Sequence, residues 1–240
     1  MKKIVYYTFI TVSAWIISSC DSGFDELNTD KTRPTAIDPA FELNNAVLGF
    51  RTYSSLIYDM GIVQQIISPN SGVLTGANYN QDNRDASDDM WHAYFRDVIR
   101  YTRDVTRLTE SVPERSNLYN MTRILQACAF LMLADAYGDI PYSEGGKGYP
   151  DGVFFPAYDS QQDVYTDIIA ELTAATAALN AAGRIETADV LYGGNIDKWK
   201  KFGNSLLLRA GMRLSKGRCY KSPAGGAGSI PGWCDYQSGR

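Results

Sequence analysis

Histidine is almost missing from this chain: His92 is the only one among 240 residues. Any site built on two imidazoles is thereby excluded, including the usual zinc-hydrolase arrangements. Cysteine is scarce as well, with four residues and no Cys-x-x-Cys pair. A dominant charge is lacking: 23 Lys+Arg stand against 27 Asp+Glu, a formal net charge of -4. Such a balance gives no general attraction to phosphate backbones, and no nucleic-acid partner is expected. Beyond the N-terminus no apolar run is long enough to span a bilayer. What the chain does have is a 45% hydrophobic composition, enough for a sizeable core in one domain or at most two small ones. Its aromatics are skewed to 16 Tyr and 4 Trp beside 9 Phe. Tyr and Trp pair a flat apolar face with a polar tip, which suits both wet binding surfaces and amphipathic core edges.

The N-terminus reads as an address. Lys2 and Lys3 precede a short apolar stretch ending in Ile17-Ser18-Ser19-Cys20. The stretch is too short for a transmembrane helix and has the layout of a secretory signal. Small residues before Cys20 resemble a bacterial lipobox, which implies cleavage after residue 19, lipid attachment at Cys20 and a membrane anchor without a crossing. Residues 1–19 are therefore the expected signal peptide and residues 20–37 a polar tether. With Cys20 assigned, Cys128, Cys219 and Cys234 remain, an odd number that argues against a complete disulfide framework. Cys128 lies in a helical pattern with Leu125 and Met132 and reads as an inert buried thiol.

Helix grammar fills residues 38–216. Asp38-Pro39 supplies a cap and a first-turn proline, followed by Leu43, Val47, Phe50, Ile57, Val63, Ile66 and Ile67 up to Pro69. Ser87 caps the second expected helix, with Asp88 and Asp89 in its first turn. Its apolar stripe runs through Trp91, Tyr94, Phe95, Val98, Val105 and Leu108. Arg96, Arg100, Arg103 and Arg107 line another face, either an anion-binding row or, the better reading, a solvated face paired locally. A third helix is expected at 116–137, with Leu118, Met121, Leu125, Cys128 and Met132 buried and Gly138 as its stop. Ser160 and Asp163 form a capping box on a fourth, closed by Gly183. Asn195 opens a fifth through Trp199, Phe202, Leu206, Ala210 and Leu214. Strand alternation is absent, so the fold class is mostly α, built of packed helix pairs. Residues 217–240 lose the helical period and are rich in Gly, Ser and Pro. They read as an irregular tail, the product of a frame error or truncation. The fifth helix is then expected to leave part of an apolar face uncovered, including some of Phe202, Leu206, Leu207, Leu208 and Leu214.

Three stretches carry more than helix grammar. Residues 133–144 read LADAYGDIPYSE, residues 156–175 read PAYDSQQDVYTDIIAELTAA, and residues 189–215 read DVLYGGNIDKWKKFGNSLLLRAGMRLS. In this order, behind a lipobox, they resemble the SusD/RagB family of outer-membrane nutrient-binding lipoproteins over residues 20–216. The resemblance implies tetratricopeptide-like helix pairs with long irregular loops, incomplete at the C-terminus because family members are much longer. It implies a glycan or peptide ligand and a SusC-like TonB-dependent transporter as partner. No enzyme and no cofactor are expected; a non-binding helical scaffold of the transporter complex is the alternative, and a glycan hydrolase the weakest reading. Asp135, Asp139 and Glu144 are the carboxylates to weigh for catalysis, and turn formation is the stronger reading for them. No metal is expected: the acidic residues from 82 to 89 lack the spacing and central glycine of a calcium loop. For a ligand, the loop before the second helix gathers Asn78, Tyr79, Asn80, Gln81 and Arg84, the planar donors and stacking ring that a sugar needs. An exposed polar loop with Tyr79 packed down is the alternative.

Overall fold

The computed structural model describes residues 37–50, Met60, Val63, Gln65 and residues 84–214. The chain divides into residues 1–37 and 38–240. Apart from Ile37 the first unit, with Cys20, lies outside the described residues, as do residues 215–240. The second unit holds every helix described below.

Helix α1 spans Pro39–Leu48. Asp38 Oδ1 accepts the Ala40 amide at 2.9 Å, so cap and proline work as expected. The helix is shorter than its apolar pattern suggests. It ends where Gly49 meets the backbone of Asp97; a Cβ on Gly49 would lie 2.6 Å from that carbonyl oxygen. Phe50 then sets its ring edge-on to Tyr94, with centroids 5.4 Å apart. Val63, expected on the same buried face, is exposed, and Ile57, Ile66 and Ile67 lie outside the described residues.

Helix α2 spans Arg84–Ala93, so Ser87 stands inside it and is not its cap. Amides after Ser87 already have carbonyl partners one turn back, and Asp88 and Asp89 fall beyond the dipole's reach. The chain next forms a π-helical segment, Tyr94–Ile99, and returns to α geometry in α3, Arg100–Thr109. A π turn holds an extra residue and so rotates everything after it. Tyr94, Val98, Ile99, Thr102 and Val105 are buried, whereas Leu108, expected in the stripe, is exposed. The same rotation splits the arginine row. Arg96 pairs with Asp97 at 2.8 Å and Arg107 with Asp104 at 2.6 Å, and Arg100 lies over the Tyr101 ring. Arg103 instead turns inward.

A single 3-10 turn, Pro113–Arg115, leads into α4, Ser116–Tyr137. Its ends match the sequence reading, and Gly138 closes it at φ +78°. Among the described helices of the second unit α4 is the central one, packing on α3, on the π segment and on two later helices. Burial therefore extends beyond Leu118, Met121 and Leu125 to Ile124, Phe130, Leu131 and Leu133. Cys128 is half-buried, and desolvation pushes its thiol up to about 11, which leaves it unreactive.

After the short helix α5, Gly148–Asp151, α6 spans Gln161–Ala178, with the Ser160 hydroxyl accepting the Asp163 amide at 3.2 Å. It stops before Gly183. Asn117 captures the chain there, donating to the carbonyls of Asn180 and Arg184 and accepting the Asn180 amide at 3.0 Å. Helix α7, Ile196–Leu214, is capped by Asn195, whose Oδ1 accepts the Lys198 amide at 3.0 Å. Trp199 is fully buried, and Arg213 ties α7 to Asp135 of α4 at 3.1 Å. On the outer face of α7, Leu208 and Met212 are exposed, while Leu206 is buried. The fold is mostly α; among the described residues the only extended pairing is one antiparallel bridge, Ile140 to Asp159.

Candidate functional site

The bridge between Ile140 and Asp159 closes the base of an excursion formed by residues 138–160. Each residue donates its amide to the other's carbonyl, at 3.2 and 2.9 Å. The Asp159 carboxylate accepts the amides of Tyr142 and Ser143 at 3.0 and 2.8 Å and the Ser143 hydroxyl at 2.9 Å. Burial opposes its charge, but these donors outweigh burial and hold the carboxyl below its ordinary range. Glu144 accepts the Ala157 amide at 2.8 Å across the same loop. Asp139 accepts the Gln161 amide at 2.8 Å, at the start of α6. Asp135 accepts the Tyr165 hydroxyl besides pairing with Arg213. All three carboxylates weighed for catalysis are therefore engaged in holding the fold.

The excursion is pressed onto the π segment. A Cβ on Gly145 would lie 2.1 Å from the Pro141 carbonyl oxygen, and one on Gly146, at φ +78°, 2.8 Å from the Ile99 side chain. Arg103 fixes the contact by donating to the carbonyls of Tyr142 at 2.7 Å and Gly145 at 3.1 Å. Its guanidinium also lies 5.6 Å from the Phe130 ring centre. A run of local arginines reads as a solvated face, and only the π turn makes this member a clamp.

Two concavities flank the docked loop. The first, about 360 Å³, is lined by Trp91, Phe95, Pro141, Phe154, Phe155 and Tyr158 among others. Trp91 and Tyr158 stack with planes 16° apart and centroids 6.2 Å apart. Phe155 is 96% exposed, Phe154 75% and Tyr158 64%. Such large aromatic faces left in water are a surface that a ligand or partner can cover. The second concavity, about 610 Å³, is lined by charged side chains of both signs: α3 and its C-cap supply Arg103, Arg107 and Glu110, α6 supplies Asp163, Asp167 and Glu171, and α4 supplies the floor with Arg123 and Gln126. Tyr142 donates its hydroxyl to Asp167 at 2.5 Å. Burial first, and Asp167 second, keep that phenol protonated far above its usual range.

Of the residues expected to meet a ligand, Asn78, Tyr79, Asn80 and Gln81 lie outside the described residues, and so does the Arg84 side chain, although the Arg84 backbone opens α2. Sequence reasoning missed the aromatic recess. Its signal was available: Tyr149, Phe154, Phe155 and Tyr158 crowd ten residues of Gly- and Pro-punctuated chain that offer no helical stripe to bury them. Among the described residues no group of acidic, histidine or cysteine side chains is arranged to hold a metal, and no helix is long and apolar enough to cross a membrane.

The pattern of the SusD-like family described as "Starch-binding associating with outer membrane" matches residues 31–225. The chain belongs to that family. Solved structures of SusD-like proteins share its fold. A protein described as "chitin-binding protein" is 30% identical with a TM-score of 0.67, the match covering 75% of this chain and 40% of that one. A Bacteroidetes SusD-like protein, AC2a, is 28% identical with a TM-score of 0.65, over 75% and 34% of the two chains. A SusD homolog from Parabacteroides distasonis is 26% identical with a TM-score of 0.59, over 74% and 35%. This SusD-like chain thus spans less than half the length of these relatives. No curated protein sequence matches it.

Proposed function

We propose that this SusD-like protein is a surface lipoprotein, anchored through Cys20 to the outer membrane, that binds an oligosaccharide and passes it to a SusC-like TonB-dependent transporter. The observation that carries the reading is the aromatic recess formed by Trp91, Phe154, Phe155 and Tyr158. A neutral pyranose has an apolar face and an equatorial rim of hydroxyls, and aromatic planes in water are the surface it stacks on. The recess favours an oligosaccharide over a peptide as its occupant, in keeping with the starch-binding description of the family and the chitin-binding relative. Asn78, Tyr79, Asn80, Gln81 and Arg84 complete the proposal: they lie 7 to 13 positions before Trp91 in sequence and offer planar hydrogen-bonding groups for the hydroxyl rim.

The role is binding without turnover. Asp135, Asp139 and Glu144 are committed to backbone and helix contacts, which supports this over a glycan hydrolase. A scaffold that contacts the transporter without holding ligand is the remaining alternative. Cells displaying the protein are incubated with labelled maltooligosaccharides and chitooligosaccharides. The intact protein retains label on the cell surface. Trp91→Ala stays membrane-bound and loses about tenfold in affinity, the scale of one stacking ring, whereas Cys20→Ala is shed from the membrane with its binding intact. Unchanged retention of label by Trp91→Ala removes the recess from the reading, and absence of any binding favours the scaffold.

A further inference from the structure

The polar concavity is separate from the aromatic recess and carries a different chemistry. Helix α4 packs against both α3 and α6, so it forms a floor between two walls. On the α3 side stand Arg103, Arg107 and Glu110, joined from the loop by Lys147, Asp151 and Asp159; on the α6 side stand Asp163, Asp167 and Glu171. Within the floor, Arg123 and Glu171 satisfy one another at 2.8 Å, and Arg107 is held by Asp104. Two parts of the lining make no direct ion pair among the described residues. Among the described residues no carboxylate comes within 4.0 Å of Arg103 or Lys147, and no cation within that distance of Asp163 or Asp167. Among the described residues the two acids accept only hydroxyls, from Ser160 at 2.7 Å and from Tyr142 at 2.5 Å.

Arg103 makes the imbalance costly. It is the member of the arginine row that the π turn drives inward, and its bonds go to neutral carbonyls. Desolvation lowers its pKa even though Tyr142, Glu171, Asp167 and Asp151 act the other way. A half-buried guanidinium whose hydrogen bonds go only to carbonyls gains from an incoming carboxylate, and the exposed carboxylates of the α6 wall can take an incoming ammonium. Both ends share one concavity of about 610 Å³, a size suited to a ligand of a few residues.

We infer that this concavity is a second ligand site, for a zwitterionic molecule whose carboxylate meets Arg103 and Lys147 and whose ammonium meets Asp163 and Asp167. A short peptide with free termini has this chemistry, and so does a saccharide bearing both an amine and a uronic acid. The inference does not depend on oligosaccharide binding in the aromatic recess.

Titration calorimetry on the full chain tests it with five probes: trialanine, N-acetyl-trialanine, trialanine amide, a glucosamine–glucuronic acid disaccharide, and the same disaccharide N-acetylated. Free trialanine or the disaccharide binds, and which one does identifies the source. Blocking either end of trialanine, or using the N-acetylated disaccharide, weakens binding at least about tenfold, the loss expected when one charge-assisted contact disappears. Lys147→Gln mimics blocking the carboxylate end and Asp167→Asn the amine end, each with its circular-dichroism melt unchanged within a few degrees. Trp91→Ala leaves this binding intact, which separates the site from the recess. Equal affinity for free and blocked probes, or no binding of either zwitterion at millimolar concentration, overturns the inference.

Discussion

Asp189 shows how much of this fold rests on single polar residues. It is 5% exposed, and its carboxylate accepts the amides of Leu191 at 2.9 Å, Tyr192 at 3.3 Å and Gly194 at 3.0 Å, with the Trp199 indole N–H at 2.7 Å. Gly194 takes a left-handed φ of +76° to present its amide. The result is a turn wound on one side chain and bolted to α7 through a buried ring. Asp189→Ala leaves these donors without an acceptor in a dry site and is expected to cost roughly 2–4 kcal/mol. Trp199→Phe loses a single donor with part of the ring volume and is expected to cost about half as much. Urea denaturation of the two variants measures both losses; equal midpoints for Asp189→Ala and wild type would show that the turn does not depend on its carboxylate.

Among elements, the π segment decides most. It ends the α2 geometry, brings Val98 and Ile99 into the core together, and turns Arg103 toward the loop carbonyls. Gly146 is its counterpart on the excursion, left-handed and in contact with Ile99. Gly146→Ala imposes both backbone strain and a clash, together worth about 1–3 kcal/mol. Because α4 and its packing are untouched, the loss should be local. Hydrogen exchange is expected to accelerate in residues 138–160 and stay unchanged in α4, and oligosaccharide affinity should fall with it. Uniform acceleration over the whole chain would mean that the loop and the core open as one unit.

For the whole molecule, carboxylates of opposite character set the response to acid. Glu42 of α1 is raised by burial first and by neighbouring Asp104 second, and its Oε2 has no hydrogen-bond partner. Its protonated form is favoured by folding, so its contribution is full below the unfolded pKa of about 4.3 and is lost as pH rises through the folded value. Asp38 is the reverse. Hydrogen bonds from Arg115, at 2.6 and 3.1 Å, lower it most, so its contribution is present above about 3.9 and lost as pH falls through the folded value. Glu42→Gln should therefore raise the melting temperature at pH 7 and leave it unchanged near pH 3, the two ends of that titration. Asp38→Asn should lower the melting temperature at pH 7, with the difference narrowing in acid. Melting curves across pH check both, and parallel shifts at all pH values would assign the effects to packing. Glu186 shares Arg115 at 3.0 Å but lies at 3% exposure, where burial outweighs the guanidinium and raises it.

Local chemistry was enough to place helix ends wherever a cap or stop acts within one turn: Asp38 with Pro39, Ser160 with Asp163, Asn195, and Gly138. The mostly α class followed from apolar periodicity, and the family from three contiguous stretches, because each is a property of neighbouring residues. Tertiary contact decided the rest. Helix α1 stops at Leu48 because Gly49 must approach Asp97, and α6 stops at Ala178 because Asn117, 63 positions earlier than Asn180, claims the chain. The periodicity of the second expected helix was legible, but the π turn within it was not, since one extra residue per turn leaves the composition of a stripe unchanged. Both concavities arise from that turn and the loop docked on it. Their residues lie from position 91 to position 171, and no spacing rule joins positions that only packing brings together.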